Sequence, residues 1–251
     1  MLKNQGKINA KISNSQWGAK YLIQAIAFDL DNTLLDFRYF KDVTSLAAAK
    51  AMVSQGLKGS VDSVNKEIWD IYDEYGVEYQ KTFSTLLWDK HEIRDMNTFE
   101  RIQQAGITAY LKSKLKNLRP YKDVPLTLKT LLTQQYQLFI LTDAPRNKAW
   151  QRLVITGLDS FFQTNNVITY EDTLAHKPDP QPYRELLNRA KVCAEKVLFI
   201  GDNPERDIKG AKQVGMKTAL ADYGWILSRD SKVEPDYHLN TFSEILTYLK
   251  S

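Results

Sequence analysis

Four short apolar runs punctuate the chain. Tyr21–Phe28 precedes DLDNT, Gln137–Leu141 precedes TDAP, Lys196–Ile200 precedes GDNP, and Lys217–Ala221 is the last. Runs this short read as buried strands, and near-continuous apolar character is what a strand covered on both faces requires. Helical stretches separate them. Val124–Gln134 sets Leu128, Leu131 and Leu132 on one side, Gln181–Ala190 does the same with Leu186 and Leu187, and Asp207–Val214 follows GDNPER. Strands alternating with helices predict an α/β fold built on a doubly wound parallel sheet.

Residues 38–116 break that rhythm. Val61, Val64, Ile68, Ile71 and Tyr75 follow the spacing of one long helix, and Ser45–Leu57 and Thr98–Leu115 read as two more. Pro120 marks the return to the alternating pattern. The expected organisation is a polar leader over 1–20, an α/β core from 21–37 and 117–251, and a helical insert over 38–116.

The 251 residues are 43% hydrophobic and 25% charged, which excludes a disordered, collagen-like or disulfide-stapled chain. No run approaches the roughly 20 apolar residues of a membrane span. The leader lacks the apolar middle of a secretory signal. The single cysteine, Cys193, has no partner for an internal disulfide, so a reducing, cytoplasmic setting is expected. The net charge of +4 comes from 34 basic and 30 acidic residues, and four of the lysines lie in the leader. The rest of the chain is balanced, so no nucleic-acid-binding face is expected. The insert is balanced as well, and signals no strongly anionic partner beyond a phosphate.

In open parallel sheets, ligands bind where the strands end. That rule selects Asp29 and Asp31, Thr142 and Asp143, and Asp202, with Lys177 in AHKPDP added by context. Converging aspartates repel one another, and a bound divalent cation relieves the repulsion. Oxygen ligands suit magnesium, and no His/Cys cluster argues for zinc. An aspartate can accept a phosphoryl group while a second carboxylate moves protons. A lysine and a hydroxyl would neutralise and hold the phosphate.

FDLDNT, LTDA, HKPDP and GDNPERD, in this order, resemble the four motifs of the haloacid-dehalogenase-like hydrolases. The insert is placed as in phosphatase-type members with a small helical cap. The resemblance implies a magnesium-dependent phosphomonoester hydrolase that acts on a small phosphorylated metabolite through an aspartyl-phosphate. It makes Asp29 the nucleophile and Asp31 the general acid/base. Magnesium would be held by Asp29, the main-chain carbonyl of Asp31, and Asp202. Thr142, Asp143 and Lys177 would bind phosphate, and Asp207 would orient Lys177 or a metal-bound water. Asn203 stands where Ser is common, and His176 where Gly is frequent. The same residues also suit a phosphotransferase or phosphomutase. A 2-haloacid dehalogenase is disfavoured by Asp31, and a non-catalytic binding protein by the complete set of reactive groups.

Other residues have plainer expectations. Asp36 suits a cap or hinge at the entrance to the insert. Cys193 is expected as a small buried hydrophobe, and His91, His176 and His238 as surface or loop residues. Trp69, Tyr72, Tyr75 and Tyr79 are expected to fill a core or line the underside of the insert. Tyr223 and Trp225 are placed at the pocket mouth.

Overall fold

The computed structural model describes residues 23–224 and 231–250, so the leader and Trp225 lie outside the described residues. The first apolar run forms β1 (Ala25–Phe28), every residue of it buried. It sits inside a six-stranded sheet with β2 (Gln137–Leu141), β3 (Val167–Ile168), β4 (Val197–Gly201), β5 (Lys217–Ala221) and β6 (Tyr237–Leu239). The order is β3-β2-β1-β4-β5-β6 and every pairing is parallel. Phe28 lies level with Ile140 on β2 and Ile200 on β4. The residues that follow these three strands therefore emerge together at one edge.

Alternation along β1 divides the core into two layers. Ile26 and Phe28 face a cluster with Leu128, Leu131, Leu153 and Phe242, from α5 (Val124–Thr133), α6 (Arg146–Thr156) and the C-terminal segment. Phe28 meets Phe162 edge-on at 6.4 Å and Phe242 at 5.5 Å. Ala25 and Ala27 face Tyr183, Leu186 and Ala211, from α8 (Pro180–Ala190), which follows the single turn α7 (Tyr170–Thr173), and from α9 (Lys209–Gln213). Helices on both faces explain why the strands read as unbroken apolar runs.

Residues 37–117 carry α1 (Phe37–Ser54), α2 (Val61–Tyr75), the single turn α3 (Thr82–Thr85) and α4 (Met96–Asn117). They enclose an apolar cluster of their own, including Met52, Val64, Ile68, Leu87 and Ile102. Gly106 on α4 lets α1 approach, since a Cβ there would lie 2.1 Å from the Met52 terminal methyl. The two connections to the sheet are pinned side by side: Asp36 N donates to Arg119 O at 3.1 Å, and Tyr121 N to Leu34 O at 3.1 Å. Asp36 caps α1 by accepting from Tyr39 N, so that helix starts at Phe37, earlier than its apolar spacing suggests.

The expectation for Cys193 fails. It is exposed, because it lies in the connection after α8 rather than on the helix's packed face. Strands β3 and β6, at two and three residues, are too short for periodicity to reveal. The stretch expected as one helix from Asp207 is a wide helical turn, Pro204–Ile208, that runs into α9. No helix among the described residues is long and apolar enough to cross a membrane.

Candidate active site

Asp29 is the first residue beyond β1, and its amide donates to Ile200 O of β4 at 2.8 Å. The carboxylate is buried. Lys177 Nζ donates to Asp29 Oδ1 at 2.7 Å, to Asp207 Oδ1 at 2.6 Å and to Leu141 O at 3.2 Å. The lysine reaches this position from the loop before α8, whose backbone is held where Lys177 N donates to Asp143 Oδ1 at 2.9 Å. Asp143 thus ties the end of β2 to the lysine loop. Thr142 is buried beside it, and its hydroxyl accepts from Ala144 N at 3.2 Å.

Asp202 follows β4 and Asp207 lies one wide turn further on. Gly201 makes room for Asp207: a Cβ there would fall 2.4 Å from the Asp207 Cβ. Oxygens of Asp29, Asp202 and Asp207 lie within 4.8 Å of one another. Arg206, which sequence reasoning missed, sits among them. Its Nη2 lies 3.1 Å from Asp29 Oδ2, 3.4 Å from Asp202 Oδ1 and 3.3 Å from Asp207 Oδ2. The only sequence signal was its place four residues after Asp202.

The electrostatics separate these acids. Burial raises Asp29, and Lys177 opposes that rise. Burial and repulsion from Asp207 and Asp29 hold Asp202 well above the usual carboxylate range. Burial also penalises charge on Asp207, but Arg206 and Lys177 outweigh it and hold the carboxyl at about 2. Three acids therefore face two cations, and the surplus of carboxylates over cations falls on Asp202, whose charged form is the most disfavoured of the three. An all-oxygen donor set with that surplus fits a hard divalent cation. Asp207 is the poorest donor of the three, because both its oxygens already accept from Lys177, Asn203 N or Arg206.

Asp31 stands apart from this cluster. Arg152 of α6 donates from Nη1 to Asp31 Oδ2 at 2.5 Å, and from Nη2 to Glu78 in the segment after α2. Burial pushes Asp31 up to about 6 against the pull of Arg152. Its Oδ1 has no hydrogen-bond partner among the described residues. The turn is shaped by Asn32, which takes φ 57° and accepts from Arg38 N at 3.0 Å. Tyr223 closes one side by donating to Thr33 O at 2.7 Å. Of the aromatic set, Tyr72 is buried and, with Tyr79, lines a cavity beneath the helices. Tyr75 is exposed and stacks on Tyr79. His176, whose ring stacks on Tyr170, and the other histidines form no metal-binding group among the described residues.

Residues 26–221 match the model of the haloacid dehalogenase-like hydrolase family. The glyceraldehyde 3-phosphate phosphatase of Methanocaldococcus jannaschii is 30% identical over 234 residues, covering 92% of this chain and 98% of that protein. A phosphoglycolate phosphatase of Aquifex aeolicus is 29% identical over 226 residues, 89% and 95% of the two chains. The crystal structure of a HAD phosphatase from Thermococcus onnurineus superposes with a TM-score of 0.66 at 24% identity, over 90% of this chain and 98% of that one. The likeness runs through the strand-end motifs and the helical block alike, and the chain belongs to the haloacid dehalogenase-like hydrolases.

Proposed function

We propose that this protein is a magnesium-dependent phosphomonoester hydrolase acting on a small phosphorylated metabolite. The observation that supports it best is the division between two carboxylates two residues apart. Burial raises both, but Asp29 is held by Lys177 and Arg206, whereas Asp31, at about 6, is held by Arg152 alone and keeps one oxygen without a hydrogen-bond partner among the described residues. Carboxylates whose environments differ in this way suit a nucleophile and a proton carrier. The phosphatase names of the relatives point the same way.

In this reading Asp29 attacks phosphorus and the bond to the leaving oxygen breaks as Asp31 gives that oxygen its proton. Asp31 then takes a proton from water, whose oxygen attacks the same phosphorus and frees Asp29 and inorganic phosphate. Lys177 orients Asp29 and neutralises the transferring group, with Asp207 holding Lys177 from behind. Thr142 donates its hydroxyl to the phosphoryl oxygens, and Asp143 keeps the lysine loop beside them. Asp29, Asp202 and the main-chain carbonyl of Asp31 would hold magnesium, which supplies further charge neutralisation. Residues 38–116 act as a cap over a core formed by 21–37 and 117–251, and exclude water and polymers from the site.

The test is phosphate release from a panel of small phosphomonoesters, with magnesium or chelator. Magnesium-dependent release that disappears in Asp29→Asn is expected. Release that survives in that variant would overturn the assignment.

A further inference from the structure

Between the helical block and α6 lies a cavity of about 290 Å³. Its size suits part of a small ligand, being at the lower end of ordinary ligand pockets. Four of its lining side chains are cationic (Lys41, Lys114, Lys148 and Arg152), and one, Glu78, is acidic. Three of these cations are almost wholly buried: Lys41 is 5% exposed, Lys114 7% and Arg152 3%.

The ammonium groups lack the partners that buried charges ordinarily take. Lys41 Nζ donates to Val77 O at 2.6 Å and to the Tyr110 hydroxyl at 3.3 Å, and lies 4.7 Å from the Tyr72 ring centroid. Lys114 Nζ donates to Gln151 Oε1 at 2.6 Å. Among the described residues neither ammonium has a carboxylate within 4.0 Å. Arg152 Nε has no hydrogen-bond partner among the described residues. Burial accordingly lowers Lys41 to about 8 and Lys114 to about 8. The cavity also adjoins the reaction centre, because the Arg152 that walls it bonds Asp31 at 2.5 Å.

We infer that this cavity binds a second anionic group, a carboxylate or a phosphate, carried by the leaving group of the phosphoester. Lys41, Lys114 and Arg152 are its specificity determinants. The inference rests on the hydrolase reading and narrows its substrates to those with two anionic ends. It is invisible to composition, since the insert that contributes both lysines has nearly as many acids as bases; the fold gathers the cations on one wall.

Matched esters test it. Phosphoglycolate is compared with 2-hydroxyethyl phosphate, 3-phosphoglycerate with glycerol 3-phosphate, and propanediol bisphosphate with its monophosphate. The first two pairs report on a carboxylate and the third on a phosphate. The doubly anionic member of at least one pair is expected to have a kcat/KM roughly tenfold or more above its partner, as for a desolvated charged hydrogen bond. Lys41→Met and Lys114→Met should each cut that ratio several-fold, mainly through KM. Lys114→Met, in the last turn of α4, keeps the test available if Lys41→Met folds poorly.

Calorimetry with Asp29→Asn gives a readout that needs no turnover, and it should show the same preference. Equal kcat/KM within every pair, or a ratio unmoved in the lysine variants, would overturn the inference while leaving the hydrolase reading intact. Absence of phosphate release from every ester would overturn the hydrolase reading. In that case, equal binding within each pair would dismiss the cavity as an anion site too, and unequal binding would sustain it.

Discussion

At the edge of the sheet the buried Lys177 and the half-buried Arg206 both lie against carboxylates: Lys177 against Asp29 and Asp207, and Arg206 against Asp29, Asp202 and Asp207. Beneath the helical block, the hydrogen-bond partners of Lys41 and Lys114 among the described residues are only a carbonyl, a hydroxyl and an amide oxygen. Arg152 stands between the two regions, paired with Asp31 on one side and Glu78 on the other. A buried charge with a paired neighbour maintains the structure around it. One that lacks such a neighbour costs free energy until a ligand supplies it. The contrast therefore assigns the two regions different work, with the first holding reactive groups in place and the second left to be completed by substrate.

The contrast breaks most severely at Lys177. Lys177→Ala leaves Asp29 and Asp207 buried without their shared cation, and should lower turnover by roughly 10³-fold or more while costing about 3–5 kcal/mol of stability. Chemical denaturation checks the second figure. A thermally unchanged variant would mean that the pairs contribute nothing to the fold. The acid dependence has a definite sign. Asp207, held at about 2, contributes stability that is complete above the ordinary carboxylate range and is lost as pH falls through about 4 to 2. Without Lys177 the Asp207 carboxyl moves back toward the ordinary range, so this acid-dependent loss should shrink.

Two substitutions at the sheet edge should move the magnesium requirement in opposite directions. Asp202→Asn removes a proposed metal ligand and should raise the half-activating concentration by about tenfold or abolish the response. Arg206→Gln removes a cation that competes for Asp29 and Asp202, and should lower it several-fold. Magnesium titrations followed by both activity and calorimetry distinguish these outcomes. Equal shifts in one direction would contradict the competition.

A smaller effect is expected at the junction. Asp31 at about 6 is mostly protonated below that pH, so leaving-group protonation should decline as pH rises above it. Arg152 pulls this carboxyl down against the larger effect of burial, so Arg152→Gln should move the decline to higher pH. The pH profile of kcat/KM is the check, and an unmoved limb would separate Arg152 from proton transfer.

Much of the sheet edge was legible in the sequence because its residues sit in fixed relation to strand ends. Asp29, Thr142 and Asp202 follow apolar runs directly, and the parallel register brings those ends level. Lys177 was legible only through its motif, because the loop that delivers it lies on no strand. The cavity was illegible for a different reason. Lys41 and Lys114 lie on α1 and α4, and Arg152 on α6, far apart in sequence and each in an ordinary helical pattern. Their convergence comes from the packing of the helical block against α6. Arg206 was missed because a charged residue in a helical first turn looks like surface, while here the turn folds back over the aspartates.

The most direct test of the account is to trap the intermediate. Wild-type enzyme and Asp31→Asn would be mixed with a turned-over phosphoester and magnesium, quenched in acid and digested, and the peptide containing Asp29 would be weighed. One added phosphoryl group on Asp29, accumulating further in Asp31→Asn, is the predicted result. Full turnover with that peptide never modified, or with the phosphoryl group on another residue, would contradict the assignment of Asp29 as the nucleophile.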